Sequence, residues 1–281
     1  MSVTVMHRRA SIPARINIIG EHTDYLGGLA LAFACDERLT LTVTPAEKNH
    51  GEKHVVALWK AAGGSPAHLE ITSTIPIGAG MSSSAALCLA IVLCSRGRMD
   101  PLLACQEAQR IEHEVLNTPC GLLDQMAMMH ATEGHATLLD FSNLNTNPFE
   151  LPSGWLFKLV DSGIRRDLAT TTFGRSTDIA VMNAHAKEEN RRVLAALDSN
   201  APELGLILND AHASLKSIGV SHPEVDARVG ELQNTQGVLG ARMMGGGFGG
   251  MILVLIENED VLPDLPLVQS SQGGFLEELL E

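Results

Sequence analysis

Apolar positions alternate with polar ones, or run together between turn residues, through much of the first third of the chain. Segments 3–6 (VTVM), 14–19 (ARINII), 29–33 (LALAF), 38–43 (RLTLTV) and 68–74 (HLEITST) carry this pattern and predict strands. The interval Pro45 to Pro66, rich in Lys, Gly and His, predicts a solvated loop with a short helix. Then the period changes. From Ser83 the run SSAALCLAIVLCSRG is apolar on almost every side and too long for a strand, which predicts a deeply buried helix. Pro101 to Leu116 predicts an amphipathic helix bearing Glu107, Glu112 and Glu114, with Asp100 as N-cap and Pro101 in the first turn. Leu122 to Met129 predicts a third.

After Asp140 the stretch SNLNTNPFELPSG is loop-like and marks the candidate boundary between two lobes, 1–152 and 153–281. The second begins with the strand-like WLFKLVDSG, has helical periodicity over 174–197, 202–218 and 223–234, and reaches LGARMMGGGFGGMILVLIE, a glycine-rich turn feeding a strand at Met251 to Ile256. The last 25 residues are weakly patterned, the profile of a frayed tail. Strands mixed with segregated helices predict an α+β fold, and no internal repeat is visible.

Composition narrows the function. A chain of 281 residues with 45% hydrophobic content can bury a sizeable core. No apolar run approaches the roughly 18 residues of a spanning helix, and the N-terminus has no signal-peptide core. No membrane association is expected. Five scattered cysteines, none in a C-x-x-C arrangement, fit a reducing cytoplasm. The formal net charge of −13 argues against a nucleic-acid partner. It also means that a phosphorylated ligand would have to be held locally, by backbone N–H groups, a helix N-terminus or a metal ion.

Three stretches carry candidate chemistry. In ARINIIGEHTDYLGG a buried strand runs into Gly20, Glu21, His22, Thr23 and Asp24. In PIGAGMSSSAAL, Gly78 and Gly80 allow close backbone approach, while Ser82, Ser83 and Ser84 stand where the buried helix begins. A helix start holds phosphate without a lysine, and three hydroxyls exceed what one N-cap uses. A glycine turn with serine caps is the plainer alternative. A magnesium ion bridging nucleotide phosphates would take one hydroxyl and one carboxylate. Glu112 could supply the carboxylate, unless it is only a solvated helix-face residue. In PCGLLDQMAMMH the lone Asp124 either caps a helix or orients and deprotonates an attacking hydroxyl beside an arginine. Finally GGGFGG, 245–250, has more glycine than a turn requires, which predicts close approach to a ligand or to another loop.

Together PARINIIGEHTDYLGG, PIGAGMSSSAA and LGARMMGGGFGG resemble the three signature motifs of the GHMP kinases and, within them, of the galactokinase family. The resemblance runs from residue 13 to 256 and GEHTDY distinguishes this branch from the others. It implies a two-lobed α+β fold, with a ribosomal protein S5 domain 2-like N-terminal lobe and a ferredoxin-like C-terminal lobe. It implies ATP-dependent phosphorylation of the anomeric hydroxyl of a sugar bound in the cleft, by a monomer or weak homo-oligomer. By position it makes Asp124 the catalytic base and Arg15 its partner. Glu21, His22, Asp24, the Gly121 backbone and Phe173 become sugar contacts; Gly78, Ala79, Gly80, Met81, Ser82, Ser83 and Ser84 contact nucleotide; Ser84 and Glu112 are the Mg2+ ligands. A metal site built from Glu21, His22 and Asp24 is the rival reading of that trio, though its spacing matches no closed zinc pattern. The departure lies in RRDLATTTFGR, where Phe173 stands in place of the family's tyrosine and Arg165, Arg166 and Asp167 are unusual. A heptose, an octose or N-acetylgalactosamine is therefore an alternative acceptor, and a sugar sensor without turnover is an alternative function.

Overall fold

A computed structural model describes residues 6–76, 78–164 and 178–280. Its first sheet is antiparallel and built around two long strands, β1 (Met6–Ile19) and β2 (Leu29–Pro45). β2 is long enough to hold two neighbours on one edge: β3 (Ala67–Ser73) along its second half and β4 (His135–Asp140) along its first. The two apolar runs on either side of Cys35, Asp36 and Glu37 thus belong to one strand. It survives the polar interruption because the register shifts there: between Pro13 and Arg15 the partner moves from Arg38 to Ala34, so the extra residues bulge out of β2.

Two expectations are corrected at the sheet's edges. Residues read as loop after Asp140 include β5 (Asn145–Glu150), an edge strand paired with β4. Its polar composition and Pro148 hid it, but at an edge a missing N–H and solvent-facing polar groups are tolerated. The tail is not frayed. β9 (Phe275–Leu280) pairs with β1, so the end of the chain completes the sheet begun at its start. The Arg38 guanidinium secures the approach, donating to Ser11, to Ser271 Oγ and to the carbonyls of Gln272 and Gly273 at 2.9–3.1 Å. No local pattern encodes such contacts.

Helix α1 (Lys53–Ala61) supplies the short helix expected in the polar interval. α2 (Ser83–Arg96) is the buried helix, with Ala85 through Cys94 all buried as it packs on β1 and β2. α3 (Pro101–Leu116) starts as read, the Asp100 side chain accepting from the Leu103 N–H, and α4 (Leu123–Met129) packs beside it. The second sheet is β6 (Leu156–Asp161), β8 (Met251–Ile256) and β7 (Val238–Met243) in spatial order. α5 (Ile179–Leu197), α6 (Ala201–Ser217) and α7 (Pro223–Gln233) accompany it, and α6 and α7 pack on β7. One apolar core runs from β1, β2 and α2 into Leu204, Leu208, Leu253 and Leu255, with Phe33 and Phe157 centred 5.9 Å apart across the junction. A smaller cluster around Leu215, Val225 and Ile252 lies beneath α7. Among the described residues no helix is long and apolar enough to cross a membrane.

Truncating Arg38 to alanine removes the hydrogen bonds that hold the 271–275 segment, and is expected to lower unfolding stability by about 2 kcal/mol. Urea denaturation with exposed Arg98→Ala as control checks this; equal midpoints for the two variants would refute the clamp.

Candidate active site

The strand pattern turns Arg15 inward from β1 at the register shift, where its side chain is buried. Its Nε donates to Asp124 Oδ1 at 2.7 Å and its Nη1 to the Gly80 carbonyl, also at 2.7 Å. One guanidinium therefore joins β1, the first turn of α4 and the 78–82 loop. Burial works against its charge, but the nearby Asp124 and Glu21 carboxylates prevail and raise its pKa. The Asp124 side chain keeps 29% of its surface exposed, facing a cavity of about 150 Å³. Asp124 is not the helix cap: Leu122 holds that position.

Asp24 closes the cavity from the opposite loop. Its Oδ2 accepts from the Leu123 N–H at 3.3 Å, so a carboxylate from residue 24 serves the start of α4 from across the site. Gly121 makes this possible, because a Cβ there would overlap the Asp24 carboxylate. Desolvation, with the Asp124 charge adding to it, pushes Asp24 up to about 6 despite that bond. His22 and Tyr25 line the same wall, His22 Nδ1 lying 3.1 Å from the Tyr25 hydroxyl. Tyr25, the chain's single tyrosine, stood inside the quoted motif without being read as a site residue.

Glu21 faces another way. Its Oε1 accepts from Arg242 Nη2 and from the Gly245 N–H, both at 2.6 Å, which leaves one oxygen for the cavity. Arg242 is fully buried on β7. Sequence reading passed it over, although an arginine inside the apolar run LGARMM signals a buried partner of opposite charge. Since Glu21 and Asp24 turn to different partners, the trio with His22 forms no metal-ligand group.

On the far wall the 78–82 loop enters α2 with Gly78, Gly80 and Ser82 at φ of 71°, 73° and 62°. No side chain caps the helix, so Ser82, Ser83 and Ser84 are not spent on capping and face the cavity with the first N–H groups of α2. Met81 lines the cavity beside them, whereas Ala79 is buried and accepts from the Met251 N–H at 2.9 Å. The 245–250 loop lies against this one: a Cβ on Gly250 would stand 2.8 Å from the Ala79 carbonyl, and one on Gly247 would overlap that of Val220. Glycine is required here for loop-on-loop contact, while Gly246, Gly247 and Gly249 also face the cavity.

Glu112 is buried rather than solvated. Gln125 Nε2 donates to its Oε2 at 2.9 Å, and the neighbouring Ser84 hydroxyl favours its charged form. Desolvation raises it to about 7 even so. An oxygen pair whose carboxylate is short of positive charge suits a hard cation that keeps phosphate and water as its other ligands. Phe173, Arg165, Arg166 and Asp167 lie outside the described residues.

A serine-rich helix start, a buried Arg–Asp pair and a buried carboxylate thus surround one cleft. Models of the GHMP kinase N-terminal and C-terminal domains match residues 50–132 and 193–264, and the galactokinase galactose-binding signature matches residues 8–45. Galactokinases of Thermotoga maritima and Chloroflexus aggregans are each 30% identical, over 88% of this chain and 89% of the first protein, and over 90% and 85% for the second. The crystal structure of Lactococcus lactis galactokinase complexed with galactose superposes with a TM-score of 0.81 at 24% identity, over 96% of this chain and 95% of that one. The chain belongs to the galactokinase family and is an ATP-dependent sugar kinase.

The raised pKa of Asp24 has a defined effect on stability. The folded chain binds this proton more tightly than the unfolded chain, so the penalty for an ionised, buried Asp24 is present above about pH 6 and vanishes as the pH falls toward the unfolded value near 4. Asp24→Asn is therefore expected to stabilise the ligand-free chain at about pH 8 and to lose most of that advantage near pH 4.5. Denaturant titrations at the two pH values measure it; a stability difference independent of pH would show that Asp24 is not desolvated.

Proposed function

We propose that the chain transfers the γ-phosphoryl group of ATP to the anomeric C1 hydroxyl of galactose or a close relative. The observation that carries this is the Arg15–Asp124 pair on the cavity floor. Arg15 occupies Oδ1 at 2.7 Å and so leaves Oδ2 to accept a hydroxyl proton from a sugar lying toward Asp24 and His22. A paired carboxylate is held in one rotamer, which suits a group that must meet one hydroxyl among several. The N–H groups of α2 and the hydroxyls of Ser82 and Ser83 face the place where the triphosphate would lie. Phosphoryl transfer asks mainly for positioning and for charge opposite the moving group, and this cleft offers both with Arg15 at its centre.

Ser84 and Glu112 would hold Mg2+, which when bound neutralises phosphate charge that a chain of net −13 cannot offset globally. Asp24, His22, the second oxygen of Glu21 and the Gly121 N–H would meet sugar hydroxyls, carboxylates being strong acceptors for polyols. Phe173 in place of a tyrosine removes one hydroxyl from the set that the family resemblance implies, which favours a sugar that differs from galactose at the facing position. The five unpaired cysteines support a reducing, cytoplasmic setting.

A coupled ADP-release screen across galactose, N-acetylgalactosamine, arabinose, mannose and heptoses, with the product's phosphate located by NMR, tests the reading. A 1-phosphate product from at least one of them is expected; transfer elsewhere on the sugar would refute it. Asp124→Asn should lower kcat by about 10³-fold with little change in the Km for ATP. Near-normal turnover by that variant would remove Asp124 from its role.

A further inference from the structure

The loop that carries Glu21, His22 and Asp24 has no strand pairing between Gly20 and Gly28, yet it holds His22 at φ 60°, a conformation uncommon for residues other than glycine. Part of its support is internal. The Thr23 hydroxyl lies 2.9 Å from the carbonyls of both Gly20 and Leu29, and the Leu26 and Gly28 N–H groups donate to the Thr23 carbonyl. Outside it, the Glu21 and Asp24 carboxylates are held by Arg242, Gly245 and Leu123 and the Gly28 carbonyl by the Phe141 N–H, while the remaining contacts to the loop's backbone come from one helix. On α5, Glu189 Oε1 accepts from the Gly20 N–H at 3.1 Å, His185 Nε2 donates to the Glu21 carbonyl at 3.0 Å, and Asn190 Oδ1 accepts from the Leu29 N–H at 2.7 Å.

These three contacts grip backbone on both flanks of His22 to Asp24 and leave those side chains to the cavity. The residues fall on the face of α5 that otherwise buries Met182, Ala186, Val193 and Ala196. Had this face only to be covered, leucine would serve better at 185 and 189, because an imidazole and a carboxylate lose hydration on burial. Glu189 is wholly inaccessible, and its other oxygen meets Arg192 at 3.1 Å. His185 is tied behind by Ser214 Oγ of α6 at 2.8 Å. The polar groups stand where the buried stripe meets three backbone atoms that need partners.

We propose that His185, Glu189 and Asn190 are positioning residues that set the 20–29 loop from the second lobe and so determine affinity for the sugar, without touching substrate themselves. The inference rests on the reading of this loop as the sugar wall. The nucleotide wall is held separately, by Arg15 on Gly80 and by Met251 on Ala79. Loosening the α5 contacts therefore acts on one substrate only.

Kinetics and hydrogen exchange test this together. Asn190→Ala, the mildest truncation because Asn190 is half-buried, should raise the Km for the sugar at least about tenfold while the Km for ATP stays within about twofold. Glu189→Ala should do the same, and Glu189→Gln, whose amide oxygen can still accept from Gly20, should return the sugar Km to within about twofold of wild type. In the alanine variants the Gly20 and Leu29 amides should exchange at least about tenfold faster than in wild type, with those of β8 unchanged. Equal changes in both Km values, or an unchanged sugar Km in a variant of lowered thermal stability, would reduce the contacts to a structural brace and overturn the proposal. A wild-type chain that phosphorylated no sugar would instead overturn the kinase reading. In that case unchanged exchange at Gly20 and Leu29 would still refute the clamp, and faster exchange would uphold its hold on the loop.

Discussion

Arg15 is the interaction around which the cleft is arranged. A guanidinium buried this completely is tolerable only with its charge matched and hydrogen bonds made, and it finds a counter-charge in Asp124 and a further acceptor in the Gly80 carbonyl. Those partners come from the start of α4 and from the loop before α2, so one side chain sets the distance between the two walls. Removing Asp124 would leave a buried charge unmatched, a far larger penalty than loss of a surface ion pair.

A second constraint is the shortage of positive charge among the described residues that line the cavity. Glu21, Asp24, Glu112 and Asp124 surround the cavity, while Arg15 and Arg242 are already committed to Asp124 and Glu21. Two carboxylates with raised pKa values, Asp24 and Glu112, are the consequence. A cavity of this charge can meet an anion only through backbone dipoles or an added cation, and α2 begins at its wall with three serines and no side-chain cap. The two glycine-rich loops serve the same end, since their close contact brings the Gly246 and Gly247 backbone to the cavity behind the serines.

The lobes are joined by polar atoms as well as by shared core. Arg242 on β7 reaches Glu21 and the Asn17 carbonyl of β1, and the α5 side chains reach the loop that follows. Both sets of contacts converge on residues 17–29. The second lobe thereby shapes a wall whose motif lies entirely in the first.

What the sequence alone determined was strong and local. The period change at Ser83, the Asp100–Pro101 helix start and the strand Met251 to Ile256 were legible because each pattern is completed within a few residues. The three motifs were legible because each gathers its family's residue types at close spacing. Only the tertiary structure decided that β5 and β9 are strands, since pairing with β4 and β1 supplies hydrogen bonds that no local pattern encodes. It decided, too, that Glu112 is buried and bonded to Gln125, that one oxygen of Glu21 belongs to Arg242, and that α5 grips the 20–29 loop. Each of these joins residues far apart in the chain, and a charged side chain reads as solvated until the partner that permits its burial is brought to it by the fold.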